Sequence, residues 1–198
     1  MKKFIVSSTL MIIVLTSFAQ SNSEHLTFKG VPIDGTLGEY VAKMKSAGFI
    51  HIGTENSVAF LSGEFAGYRD CMIGVKSLKK PNLVHEIVVL FPTQDTWRGL
   101  DYDYNRLKSM LSKKYGEPDK CVEKFINTPS YINLNDENDK MYEVKNNHCE
   151  YYSIFNVKNG SISLSIEYDG ILVGCRAKLW YSDKINSVVF EEAAMEDL

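Results

Sequence analysis

The chain has 198 residues, enough for one domain with a substantial core or for two small halves. Its 22 basic and 25 acidic residues give a net charge of −3, which excludes the basic footprint of a nucleic-acid binder or of a protein drawn to anionic lipid. Hydrophobic residues make up 44% and charged residues 24%, the balance of a globular protein rather than a disordered one.

Met1-Lys2-Lys3 is a basic start, Phe4–Leu15 is apolar apart from Ser7, Ser8 and Thr9, and Ser17-Phe18-Ala19 supplies small residues where a signal peptidase reads. Residues 1–19 are therefore expected to be a secretory signal peptide cut after Ala19, leaving 20–198 as a single mature domain. The apolar run is too short for a permanent anchor, so no transmembrane segment is expected in the mature chain. The expected location is the periplasm or beyond. Loss of Lys2 and Lys3 leaves 20 basic against 25 acidic residues, a net charge of −5.

Leu26–Val31 reads as a short strand ending at Pro32. Thr36-Leu37-Gly38-Glu39 is a capping box, and Leu37, Tyr40, Val41 and Met44 follow at helical spacing up to Gly48. Four strand-like segments come next: Phe49–Ile52, Ser57–Leu61, Tyr68–Val75 and Leu83–Phe91. The last is the most β-branched run and is expected at the centre of a sheet. Asp95 or Thr96 then caps a long helix whose stripe is Trp97, Leu100, Tyr104, Leu107, Leu111 and Tyr115, stopped by Gly116 and Pro118.

Cys121–Ile126 reads as a further strand. Residues 127–148 are polar and irregular, with scattered Ile, Leu, Met and Tyr. The last third is a three-stranded meander. Tyr151–Val157 runs into Asn159-Gly160, a strong hairpin signal. Ile162, Leu164, Ile166 and Tyr168 then alternate with polar residues. Ile171–Tyr181 alternates again, and a closing helix spans about 183–195. The expected class is α+β, an antiparallel sheet packed by one long helix and one or two shorter ones.

The run His85–Pro92 before Asp95 is echoed by Arg176–Ser182 before Asp183, so the domain divides into candidate halves at 26–118 and 119–198. With Thr36–Ala47, Tyr115-Gly116-Glu117-Pro118 and the closing hairpins, the chain resembles an uncharacterised family of secreted proteins from gut-type Gram-negative bacteria. The order of elements is also similar to the tandem α+β repeat of beta-lactamase-inhibitor-protein-like domains. That resemblance implies an envelope binding module rather than a catalyst, and it transfers no binding residue to this chain.

The motifs for a serine nucleophile elbow, a P-loop, a dinucleotide loop, a zincin helix and a C-x-x-C pair are all missing from the sequence. His25, His51, His85 and His148 lack ligand spacing, and His85 is expected to be packed and hydrogen-bonded. Asp101-x-Asp103-x-Asn105 begins like a calcium loop, but Arg106 replaces the required glycine. Asp136-Glu137-Asn138-Asp139 reads as a solvated turn. No metal and no cofactor are expected.

Cys71, Cys121, Cys149 and Cys175 form an even set, which in an oxidising compartment suggests disulfides. Cys121 and Cys149 flank the polar stretch and are the expected pair. Simple hairpin pairing of the flanking strands would instead place Cys121 opposite a residue near Ile154. Cys71 and Cys175 are buried thiols or a core bridge, with neither preferred. Tyr131, Ile132, Tyr142, Tyr151 and Tyr152 cluster in or beside 127–152. They are the candidate binding surface, although packing the loop onto the core is the favoured explanation of tyrosines there, since tyrosine is common in sheets. The expected function is a non-enzymatic binding module, an inhibitor or adaptor with an envelope protein as partner. The alternatives are a periplasmic hydrolase with a non-local acid–base site, or a structural accessory of an outer-membrane complex.

Overall fold

The computed structural model describes residues 24–79, 82–170 and 174–195. The expected signal peptide and its cleavage site lie outside these residues. Two short strands, β1 (Thr27–Phe28) and β2 (Val31–Pro32), form a small hairpin ahead of helix α1 (Leu37–Ser46). The capping box at Thr36 forms. The Thr36 hydroxyl and backbone N–H both donate to Glu39, whose carboxyl is held below its usual range by those bonds.

A meander follows: β3 (Ile50–Glu55), β4 (Val58–Phe65), β5 (Tyr68–Ser77) and β6 (Val84–Leu90). Helix α2 (Trp97–Tyr115), capped by Thr96, leads into β7 (Lys120–Phe125). Helix α3 (Glu137–Lys145) lies in the stretch that the sequence left irregular. The strands β8 (Cys149–Val157), β9 (Gly160–Asp169) and β10 (Gly174–Asp183) complete a second meander, and α4 (Lys184–Met195) closes the order.

The eight longer strands make one antiparallel sheet in the order β3-β4-β5-β6-β10-β9-β8-β7. Each meander is preceded by a helix and ends on a central strand. Those two strands, β6 and β10, pair with each other through Val88↔Trp180 and its neighbours. A helix and four strands thus run from α1 to β6, and a helix and four strands with α3 inserted run from α2 to β10. By this order α2 belongs with the strands that follow it.

Alternation gives the sheet two unlike faces. One ladder row runs Ala59, Val75, Ile87, Tyr181, Ile162, Phe155 across six strands, and all six are buried. The helices pack here. Tyr40 and Met44 come from α1, and Leu100, Tyr104 and Leu107 come from α2. Phe28 from the first hairpin stacks on Phe65 and meets the edge of Tyr181.

Buried polar groups fasten the ends of this layer. Asp183, fully buried, accepts from Leu26 N and from Asn186 N, the second bond capping α4. The Asn186 side chain donates to the carbonyls of Ile33 and Val84. At the other unit, Tyr68 Oη and Gln94 Nε2 donate to the two oxygens of buried Asp103, at 2.9 and 2.6 Å. Asp103 is therefore a structural acceptor inside a helix, not part of a calcium loop.

Candidate functional site

Among the described residues, no helix packs on the second face of the sheet. One row on it runs Gly53, Phe60, Gly74, Val88, Trp180, Ser163, Ile154, Lys120. The next runs Ile50, Ser62, Met72, Leu90, Lys178, Ser165, Tyr152, Val122. None of the residues in these two rows is buried. An antiparallel sheet often leaves one face to water, but that face is normally polar. Here the half nearest β3 is apolar, and only the half nearest β7 is serine-rich.

The apolar half holds an open cleft of about 620 Å³ lined by Ile52, Phe60, Met72 and Leu90, with Glu55 and Asp169 as its charged members. The sequence pattern explains it. Phe60, Met72, Val88 and Leu90 occupy outward positions of strands that are apolar on both faces, the pattern of a sheet covered on both sides. Beside the cleft, Trp180 is bracketed by two cations, with Lys76 Nζ 4.1 Å and Lys178 Nζ 5.1 Å from its ring centre. Each lysine is tied to a carboxylate, Lys76 to Glu86 at 3.2 Å and Lys178 to Glu167 at 2.8 Å. The tryptophan is thus held in place on the uncovered face.

Comparison with protein-family models, with curated proteins and with solved structures yields no match. The site therefore has to be read from its own chemistry.

The tyrosines singled out in the sequence do not form one surface. Tyr151 and Tyr152 are adjacent on β8 and point to opposite faces. Tyr151 packs among Trp97, Tyr104 and Phe125 on the helix side, with ring centres 5.1, 5.8 and 5.7 Å away. Its hydroxyl is pushed up to about 12 by burial. Tyr152 lies on the open face, under Lys120 at 5.1 Å. Tyr131 is 75% exposed in the loop before α3, Tyr142 is exposed on α3, and Ile132 is half-buried. Asp136 caps α3 through Asn138 N and Asp139 N, so the acidic run is a helix start.

The expected Cys121–Cys149 disulfide is not present, and all four cysteines are free thiols. Register is the reason. Cys121 pairs with Ser153, and Cys149 pairs with Phe125 four residues further along β7. Their Cα atoms are therefore separated by roughly 13 Å along the strand, far beyond disulfide reach. Burial raises the Cys71 thiol to about 11 and the Cys149 thiol to about 12, and it also raises Cys175. Cys121 alone is exposed.

Around Cys121 the fold assembles a polar chain that the sequence did not announce. Tyr104 Oη and Ser153 Oγ share a hydrogen bond of 2.8 Å, Ser153 Oγ donates to Cys121 Sγ at 3.5 Å, and Cys121 Sγ donates to Glu123 Oε1 at 3.3 Å. Lys108 of α2 pairs with the same Glu123 oxygen. Burial pushes the Glu123 carboxyl up, but the bonds from Lys108 and Cys121 outweigh it and hold it below its usual range. Three elements of structure, α2, β7 and β8, supply these groups, so no local spacing could have shown them.

The histidines are structural in their contacts. His148 Nδ1 meets Glu143 Oε2 at 3.0 Å, and Glu143 is fully buried. His51 Nε2 meets Thr54 Oγ1 at 3.0 Å. His85 is buried as expected, but its Nδ1 has no hydrogen-bond partner among the described residues. The ring stacks instead on Phe190 of α4, at 5.2 Å and 7°. Among the described residues, no group of three or more His, Cys, Asp or Glu side chains could hold a metal ion. No helix among them is long and apolar enough to cross a membrane.

Proposed function

We propose that this chain is an exported, non-enzymatic binding module that engages a protein partner of the cell envelope through the uncovered face of its sheet. The observation that carries the reading is the apolar half of that face. Ile50, Ile52, Phe60, Met72, Leu90 and Trp180 stand on an eight-stranded platform, and among the described residues no helix lies over them. Contiguous apolar surface of this kind, bordered by charged groups, is what a protein interface needs. Trp180 and Tyr152 are the residue types that dominate binding energy when a partner covers them. The binding-module resemblance read from the order of elements in the sequence supports the same reading.

Export rests on the sequence of residues 1–19. A hydrolase reading would draw on Cys121, Glu123 and Lys108. That cluster sits on an exposed edge strand rather than in a cleft, and its carboxylate is already engaged by Lys108.

The test is affinity capture from envelope extract with the mature chain and with a Phe60→Asp/Met72→Asp double variant. Both side chains point away from the core, so the variant should keep the native circular dichroism spectrum. The reading expects a protein captured by the first and lost by the second. Equal capture by both would remove the open face from the account.

A further inference from the structure

Among the described residues, the two edge strands of the sheet, β3 and β7, are unlike. β7 carries Lys120, Glu123 and Lys124, and the last two are held in ion pairs with Lys108 and Glu150. Charges on an edge strand discourage pairing with another chain. β3 has no charged side chain from Ile50 to Thr54, and Ile50 and Ile52 are 69% and 59% exposed. This is the unguarded edge.

Its backbone is set up for a visitor. Glu55 and Val58 close the two-residue turn Asn56-Ser57, both of whose φ angles are positive, 48° and 64°. In such a hairpin the closing pair bonds across the ladder, so the preceding residue, Thr54, turns its N–H and C=O outward. A bulge between His51 and Gly53 breaks the pairing run, so a visiting strand gains few backbone bonds and must add side-chain contacts. Those are at hand, because the Ile52, Phe60, Met72, Leu90 cleft opens at this edge. Glu55 lines it at this edge and supplies a carboxylate.

Resting on the binding-module reading, we propose that β3 accepts an extended segment of the partner protein as an added strand. The segment places apolar side chains in the cleft and a lysine or arginine beside Glu55. A second copy of this chain fits less well. β3 itself contains no lysine or arginine, so self-pairing would bring neither beside Glu55.

The experiment titrates two short synthetic peptides into the full mature chain and follows backbone amide signals by NMR. Both alternate valine with threonine. One is flanked by lysines and the other by glutamates. The lysine-flanked peptide is expected to bind about tenfold or more tightly at low salt, and to move the β3 amide signals. Thr54→Pro, which removes an outward N–H, should weaken binding about tenfold or more. Glu55→Lys should reverse the preference between the peptides, and Glu123→Lys on β7 should leave it unchanged. If Thr54→Pro does not fold, Glu55→Lys at its exposed position carries the test.

Equal binding of the two peptides, or signals moving at β7 instead of β3, would overturn the proposal. So would a concentration-dependent dimer in sedimentation that Thr54→Pro abolishes, since the occupant would then be a second copy. A captured partner that shields Trp180 and Tyr152 but ignores Thr54→Pro and Glu55→Lys would overturn the β3 proposal and leave the binding-module reading standing. No captured partner and no peptide binding would remove both.

Discussion

Cys121 faces Ser153 across the β7–β8 ladder, and the serine hydroxyl donates to its sulfur at 3.5 Å. That pairing separates Cys121 from Cys149 and leaves Cys121 as the one exposed thiol, with Cys71 and Cys175 buried and Cys149 half-buried. Titration of the native protein with a disulfide reagent should therefore report one reacting thiol. The signal should vanish in Cys121→Ser, and the other three should react only on unfolding, because burial holds them protonated. A Cys121–Cys149 crosslink in a non-reducing peptide map would contradict the register.

Tyr151 and Tyr131 should separate cleanly in stability. Tyr151 fills the aromatic group of Trp97, Tyr104 and Phe125, so Tyr151→Ala should cost about 2–4 kcal/mol in urea unfolding. Tyr131→Ala, at an exposed loop position, should stay within about 0.5 kcal/mol of the native protein. Equal effects would mean that the loop packs differently.

These two tyrosines also show what the sequence could convey. Periodicity placed α1, α2 and most of the strands, because each buries one face and alternates accordingly. It also pointed to the hairpin at Asn159-Gly160, although Lys158-Asn159 occupy the turn and Gly160 begins β9. There a Cβ would collide with the Ser182 carbonyl. Helix α3 was missed because only Met141, Glu143 and Val144 are buried along it, too few for a stripe. The open face was hidden for a different reason. A strand that is apolar on both sides looks the same whether the second side is covered or bare. Only the three-dimensional arrangement shows that, among the described residues, Phe60, Met72 and Leu90 are not buried. Register-dependent pairs such as Cys121 and Ser153 likewise need the alignment of two strands, which no single segment encodes.

His85 should make stability fall in mild acid. Burial lowers its proton affinity, an effect that outweighs the attraction of Glu86, while Lys76 lowers it further. Its folded value thus lies below the ordinary value of about 6.5, and the unfolded chain binds the proton more readily. The stability is complete above that value and is lost as pH falls from it toward the folded value. Urea midpoints measured between about pH 7.5 and 5 should decline, and the decline should be shallower in His85→Leu. A steeper or unchanged decline in the variant would assign the loss to other groups.

Asp183 ties the first hairpin to α4, since it accepts from Leu26 N and Asn186 N while fully buried. Asp183→Ala strands those donors and should cost about 2–4 kcal/mol in chemical unfolding. Exchange of the α4 amides should quicken in the variant. A loss below about 0.5 kcal/mol would show that the bonds are not formed in solution.

The uncovered face is the centre of the account, and hydroxyl-radical footprinting of the protein with its captured partner tests it most directly. Oxidisable side chains mark both sides of the molecule: Phe60, Met72, Tyr152 and Trp180 on the open face, and Met110, Tyr131 and Tyr142 among the exposed residues elsewhere. The account predicts that the partner shields the first set and leaves the second at its free rate. Shielding of Met110, Tyr131 and Tyr142, with Phe60, Met72 and Trp180 still oxidised as in the free protein, would contradict it.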